Sequence, residues 1–330
     1  MKKTIYIFND GVLKRKDNTI AFETEEDRKV LPIEDISDIF IFGEVELNKK
    51  FLDYMSQKEI ILHFFNYYGY YTGSYYPREH LNSGYMTLKQ AEHYLEEGKR
   101  QLIASKIVEG SAQNMINVVK YYSSREKEVS DIEESIQQLR QGISHCQNTS
   151  ELMGVEGNIR EAYYKAFDRI IENEDFRFEQ RTKRPPKNHL NALISFGNSM
   201  LYVLVLGEIY KTHLDPRIGY LHTTNFRRFT LNLDIAEIFK PIIVDRIIFT
   251  LLGKNMLKKS DFDDDLEGVL LKEQGRKRFV EEFDKRMKTT IKHRLLGREV
   301  SYRRLIRMEL YKLEKHLMGE EAYTPYVSRW

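Results

Sequence analysis

Two hydrophobic periods divide this chain. Up to about residue 84, β-branched and aromatic residues come in short runs: Thr4–Phe8, Thr19–Glu23, Ile39–Phe42, Ile60–Phe65 and Tyr67–Tyr76. Asn9-Asp10-Gly11, Lys16-Asp17-Asn18 and Pro32 separate them, as turn residues separate strands. The pattern predicts a β-rich region over residues 1–84, with short helices at Ile33–Ser37 and Asn48–Gln57. The tyrosines between 67 and 76 fit cross-strand pairs in a sheet. Stacking on nucleic-acid bases is the alternative use for them.

From residue 85 onward the period lengthens to about 3.6. Leu88, Ala91, Leu95, Leu102, Ile103, Ile107, Ile116, Val119 and Tyr122 predict helices across 87–122. Ile132, Ile136, Leu139 and Ile143 predict another. A further helix over 150–171 carries Leu152, Val155, Ile159, Tyr163, Ala166 and Ile170 on one stripe, with Thr149 or Ser150 as its cap. Residues 172–189 keep no apolar period and read as a loop. An apolar helix then starts at Asn188 or Asn191 and runs to 212. The next apolar helix occupies the stretch 231–248, and two basic helices follow from Glu273, split near Gly297. The last residues, 323–330, look extended. Everything beyond residue 85 is therefore expected to be helix and loop.

Composition narrows the class. At 330 residues the chain buries a sizeable core. Its 41% apolar and 31% charged residues suit a soluble protein. No run approaches the roughly 18 apolar residues that cross a bilayer. Asp10-Gly11 ends the first apolar stretch too early for a signal peptide. One cysteine, Cys146, excludes an internal disulfide and a multi-cysteine zinc site. A cytoplasmic location is expected. Net charge is only +2, yet residues 276–330 hold 15 basic against 8 acidic side chains. That block suits phosphate contact, or simply a solvated helical face.

Two familiar chemistries are missing. No Gly-x-x-x-x-Gly-Lys occurs, which argues against an ATPase. The acidic run from Asp261 fails as a calcium loop, because Leu266 takes its glycine position and Lys272 its terminal glutamate position.

What remains is a set of carboxylates on apolar faces. Asp234 and Glu237 are three residues apart and share a helix face with Ile238, Pro241, Val244 and Ile248. Glu156 lies within the stripe of its own helix, beside Gly157. Buried carboxylates meet a cation or a metal, since burying charge unpaired is costly. Glu156, His222 and Glu237 match a hard-metal site for Mg²⁺ or Mn²⁺, with Asp234 behind it. The competing reading is a structural ion pair between Glu156 and an arginine such as Arg160. Pro241 lacks the amide that would bond the Glu237 carbonyl, so the helix is weakened beside these acids. Arg181, Lys183 and Arg184 in the loop, and Arg227 and Arg228 after His222, are candidates for clamping phosphates.

The order of these motifs resembles a known family. Glu156-Gly157 with Tyr163, Asn191-Ala192-Leu193, Gly219-x-Leu221-His222, Leu231-x-Leu233-Asp234-x-x-Glu237-x-Phe239-x-Pro241 and Asp245-Arg246 are similar to the CRISPR adaptation integrases. These enzymes insert new spacers into CRISPR arrays. Lys240 stands where an arginine is frequent in the family, and Glu237 where some members have aspartate. The resemblance implies an α+β protein: a β-sandwich-like domain over 1–84 that forms a homodimer, then a larger all-α catalytic domain over 85–330. It implies metal-dependent strand transfer on double-stranded and branched DNA, with a small ferredoxin-like CRISPR-associated partner. Two other readings stay open. One is a stand-alone metal-dependent nuclease for branched DNA in repair. The other is a non-catalytic DNA-binding scaffold.

Overall fold

The computed structural model describes every residue except Met1, 78–80, Asn82, Arg184, 225–228, 265–267, 294–295 and Trp330. The chain divides into two compact units, Met1–His80 and Leu81–Trp330.

The first unit is β-rich. In chain order it holds β1 (Lys3–Ile7), β2 (Gly11–Lys16), β3 (Thr19–Glu23), β4 (Arg28–Pro32), β5 (Ile36–Ile41), β6 (Val45–Leu47), α1 (Lys49–Lys58), β7 (Ile61–Phe65) and β8 (Tyr71–Tyr75). One sheet has the order β1-β5-β7-β8, the other β4-β3-β2-β6. Strand β5 lies between two parallel neighbours, and all six of its residues are buried. Burial on both faces encloses the polar Ser37 and Asp38 as well, and the Ser37 hydroxyl donates to the Asp38 carboxylate. Ile7, Leu13, Ile20, Ile39, Phe51 and Leu62 join both sheets and α1 in one core. Asn48 caps α1, accepting from the Phe51 amide at 2.9 Å.

Three details depart from the sequence reading. The expected helix at Ile33–Ser37 is absent; Ile36 donates to the Ile33 carbonyl in a turn, and the chain then enters β5. Parallel pairing with β1 outweighs local helix preference there. Strands β2 and β4 carry Lys14, Arg15, Lys16, Arg28 and Lys29, so their charge hid them. β4 is a sheet edge, where such charge discourages further pairing.

The second unit is mostly helical: α2 (Gly84–Leu95), α3 (Glu97–Ser123), α4 (Ser130–Gln141), α5 (Thr149–Ile171), α6 (His189–Ile209), α7 (Leu231–Phe239), a π-helical turn (Pro241–Asp245), α8 (Arg246–Gly253), α9 (Glu273–Lys288) and α10 (Tyr302–Leu317). It is not purely helical. Two small antiparallel hairpins interrupt it, β9 (Phe262–Asp264) with β10 (Val269–Leu271), and β11 (Thr290–His293) with β12 (Arg298–Ser301). The second hairpin stands where a simple split was expected near Gly297, whose φ of 64° suits the turn. Residues 323–329 form neither helix nor strand.

Helix α6 corrects the expectation about apolar runs. It is 21 residues long and apolar enough by length and composition to cross a bilayer, and 83% of an 18-residue window within it is buried inside the protein. It is the central helix of this unit, packed against α7 and α10. The cap of α5 is also shifted: Asn148, not Thr149 or Ser150, accepts from the amides of Ser150 and Glu151 at 3.0 Å. Replacing a capping Asn by Ala removes an acceptor that the first turn requires. Asn148→Ala is expected to cost about 1 kcal/mol, read as a lower midpoint in chemical denaturation; an unchanged midpoint would remove Asn148 from that role.

Candidate active site

The loop before α7 is built around one carboxylate. Asp234 is fully buried. It accepts backbone amides from Tyr220, Leu221 and His222 at 2.5, 3.0 and 3.0 Å. It also pairs with His222 Nδ1 at 2.8 Å. Gly219 makes this approach possible, because a Cβ there would stand 2.9 Å from Asp234 Oδ2 and 2.8 Å from the Thr230 backbone. The Gly219 amide donates to Thr230 Oγ1 at 2.9 Å. With Nδ1–H given to Asp234, the neutral imidazole keeps its lone pair on Nε2. Burial opposes a charged ring here, but the hydrogen bond and charge of Asp234 outweigh it and raise the His222 pKa above its usual value.

Glu237 sits one helical turn further on and is 5% exposed. Its two oxygens meet two cations: Oε1 pairs with Lys240 Nζ and Oε2 with Arg160 Nη2. The same guanidinium gives its Nε to Glu156 Oε1 at 2.7 Å. Arg160 therefore joins Glu156 on α5 to Glu237 on α7. Burial alone would raise the Glu237 carboxyl; Lys240, Arg160 and His222 outweigh it and hold the pKa at about 2. Lys240 is buried too, and the charge of Glu237 keeps its ammonium above the ordinary value against desolvation. Its Nζ stands 4.8 Å from the Tyr202 ring centroid.

Pro241 ends α7, as its missing amide requires. The backbone continues as a π turn, where the Asp245 amide reaches back to Lys240 O at 3.1 Å. The Glu237 carbonyl, denied an amide from Pro241, accepts instead from Ser111 Oγ at 2.9 Å.

The loop before α6 borders this cluster. Arg181 is half-buried, and its guanidinium donates to Asn191 Oδ1 at 2.9 Å, Ser195 Oγ at 3.0 Å and the Thr182 carbonyl. Burial pulls its pKa down. Lys183 is exposed. Its ammonium is lowered by partial burial and by the charges of Arg181 and Lys240, while Glu237 pulls the other way. Arg184, Arg227 and Arg228 lie outside the described residues. Among the described residues, Asp234 and Glu237 take their partners from the 220–222 amides, His222, Arg160 and Lys240.

The chain matches the family described as CRISPR associated protein Cas1 over residues 5–285. The chain belongs to the Cas1 family. A curated relative from Thermodesulfovibrio yellowstonii, named CRISPR-associated endonuclease Cas1 2, is 59% identical over 330 residues, covering 100% of both chains. A solved Cas1 structure from Thermotoga maritima is 51% identical, with a TM-score of 0.89, covering 98% of this chain and 99% of that one. A casposase bound to its integration product shares the fold at 20% identity, with a TM-score of 0.87, covering 98% of this chain and 92% of that one. The α+β architecture, a β-rich region followed by a mostly helical one, is that of the solved Cas1 structure.

Within this Cas1 fold, no group of three His, Cys, Asp or Glu side chains converges closely enough to hold an ion among the described residues. The donor chemistry nevertheless suits a hard divalent ion. Glu156 and Glu237 already share one cationic group, and His222 is oriented by a carboxylate, as ligating histidines usually are. The surface beside Glu156 is open, since a Cβ on Gly154 or Gly157 would meet no heavy atom within 4 Å. Sequence reasoning named Arg160 as a partner for Glu156 but missed that it reaches Glu237 as well. It also treated Lys240 as a family variation rather than as a contact of Glu237.

Asp245 closes the back of the site. It is 2% exposed, and burial pushes its pKa up to about 7 against the charge of Arg160 and a hydrogen bond from Tyr163. Its unfolded pKa is about 3.9. A raised carboxyl contributes stability below the unfolded value, and that contribution is lost as pH rises through the folded value. Asp245→Asn is therefore expected to melt above the unmodified protein at pH 8, with the gap closing toward pH 4. A gap independent of pH would show that Asp245 is not held neutral.

Proposed function

We propose that this chain is a metal-dependent DNA endonuclease and integrase that inserts spacer DNA into a CRISPR array. One observation carries the reading: Glu156 and Glu237 come from separate helices to a single cation, within the electrostatic reach of a histidine fixed by Asp234. Membership of the Cas1 family and relatives named as endonucleases support it.

Glu156, Glu237 and His222 Nε2 would hold Mg²⁺ or Mn²⁺. Such an ion polarises a scissile phosphate and stabilises charge on the attacking or leaving oxygen. In integration the 3′-hydroxyl of incoming DNA forms the new bond to phosphorus, and the 3′-oxygen of the cut strand departs. Asp234 holds the His222 ring and does not face the substrate itself. Arg160, which bridges both acids, would have to release at least one carboxylate for them to hold an ion. Lys183 is the exposed cation of the adjacent loop, while Arg181 fastens that loop to α6. The homodimer belongs to the first unit, where Tyr67, Tyr68 and Tyr70 are exposed. A clean monomer in sedimentation would refute it. A small ferredoxin-like partner and a cytoplasmic location complete the reading.

Strand transfer on labelled DNA tests the function. Single alanine substitutions of Glu156, His222 and Glu237 should each abolish transfer and leave DNA binding near its original level. Cutting without joining would favour the stand-alone repair nuclease, and absence of any chemistry the scaffold. Full activity in one variant removes that residue from the site.

Lys183→Gln should weaken binding to all DNA sequences alike. Each lost phosphate contact lowers the slope of affinity against salt by about 1. An unchanged slope would show that Lys183 touches no phosphate.

A further inference from the structure

The end of the chain is fastened to the helix that fixes Glu237. On α3, Ser111 and Asn114 are both buried and both serve α7. Ser111 Oγ donates to the Glu237 carbonyl at 2.9 Å, and Asn114 Nδ2 to the Ile238 carbonyl at 2.8 Å. Asn114 also binds the terminal segment. Its Nδ2 donates to Tyr326 O at 3.1 Å, and its Oδ1 accepts from the Ser328 amide at 2.8 Å. One amide side chain thus serves the metal-site helix and the terminus together.

The groove is shaped for this segment. A Cβ on Gly110, one turn before Asn114, would stand 2.6 Å from Pro325 Cβ, so the helix needs glycine there for Pro325 to lie against it. Asn117 Nδ2 donates to Ser328 O at 2.7 Å. The Tyr326 ring stacks on Phe239 with centroids 5.7 Å apart and 10° between planes. From α10, Glu309 Oε1 accepts from Tyr323 OH at 2.7 Å and from the Tyr326 amide at 3.2 Å. Lys312 Nζ takes the Thr324 carbonyl at 2.6 Å.

We propose that residues 323–328 form a strap that positions Glu237, acting through Asn114 and Phe239 on the end of α7 and the π turn. The π turn is the place where such support matters. Pro241 deprives the Glu237 carbonyl of its helical donor, so the carboxylate's backbone depends on neighbours outside its own helix. Loosening the strap takes two of Asn114's partners and the ring beneath Phe239. Ser111 and Asn114 are then positioning residues. The proposal rests on the metal reading of Glu237 for its functional meaning, but not for the mechanical coupling.

Full-length protein is used throughout, with two substitutions that do not touch Glu237. Asn117→Ala removes one strap contact and reads the coupling, whereas Gly110→Leu displaces Pro325 but also packs against Ile238, whose Cγ1 lies 3.8 Å from a Cβ at 110, and so reads only the docking of 323–329. Hydrogen exchange is followed at the amides of 323–329 and of 238–246, and Mn²⁺ affinity is measured by electron paramagnetic resonance without DNA. In Asn117→Ala both amide groups should lose protection together, and Mn²⁺ should bind about tenfold more weakly, the scale typical of losing an outer support of a ligand. Faster exchange at 323–329 with 238–246 and Mn²⁺ affinity unchanged would overturn the strap's role and leave it a packing element. Unchanged protection at 323–329 in both variants would also overturn it, because α3 would then not hold the segment. If Gly110→Leu does not fold, Asn117→Ala decides alone. If the unmodified protein binds no Mn²⁺, the metal reading fails, and the coupling is judged on exchange.

Discussion

One buried carboxylate sets the terms for the helical unit. Glu237 has almost no access to water and remains ionised because Lys240 and Arg160 flank it. A buried ion pair of this kind gains little net stability, since desolvation offsets the attraction. Removing one partner is far more damaging than removing all of them. The arrangement is therefore better understood as positioning than as reinforcement. Arg160 ties α5 to α7 through two acids, and the same two acids are the hard-metal donors proposed above.

The neighbouring backbone is arranged around the same need. Three amides and one imidazole converge on Asp234, which is possible only because Gly219 has no side chain. Pro241 breaks the helical register, and Ser111 supplies the donor that the Glu237 carbonyl lacks. Arg286, resting on Tyr302 at 4.3 Å, donates to the Ile242 carbonyl at 2.7 Å within the π turn. Polar groups displaced by an irregular helix thus find partners on α3 and α9. That satisfies the requirement that buried backbone groups be paired.

Much of this was legible in the sequence, for identifiable reasons. The change of period near residue 85 marked the passage from strand to helix, within a few residues of the division at His80 and Leu81. Glu156, Asp234 and Glu237 stood out because acids on apolar stripes require partners. Pro241 announced a broken helix. Four things were hidden. Strands β2 and β4 carry too much charge to show a clear alternation. The 290–301 hairpin lies between two long basic helices, and short strands carry little periodic signal. The Arg160 link depends on α5 and α7 lying side by side, a fact of three-dimensional packing that spacing along the chain does not encode. The docking of residues 323–328 on α3 was hidden for the same reason, since more than 200 positions separate Asn114 from Ser328.

The central claim is that the Arg160 guanidinium occupies ground that a divalent ion takes over. A crystal soaked in Mn²⁺ and measured at the manganese absorption edge tests it directly. The account predicts one anomalous peak coordinated by Glu156, Glu237 and His222 Nε2, with Arg160 turned away from at least one carboxylate. No peak at that place, with Arg160 still bridging both acids at saturating Mn²⁺, would contradict it.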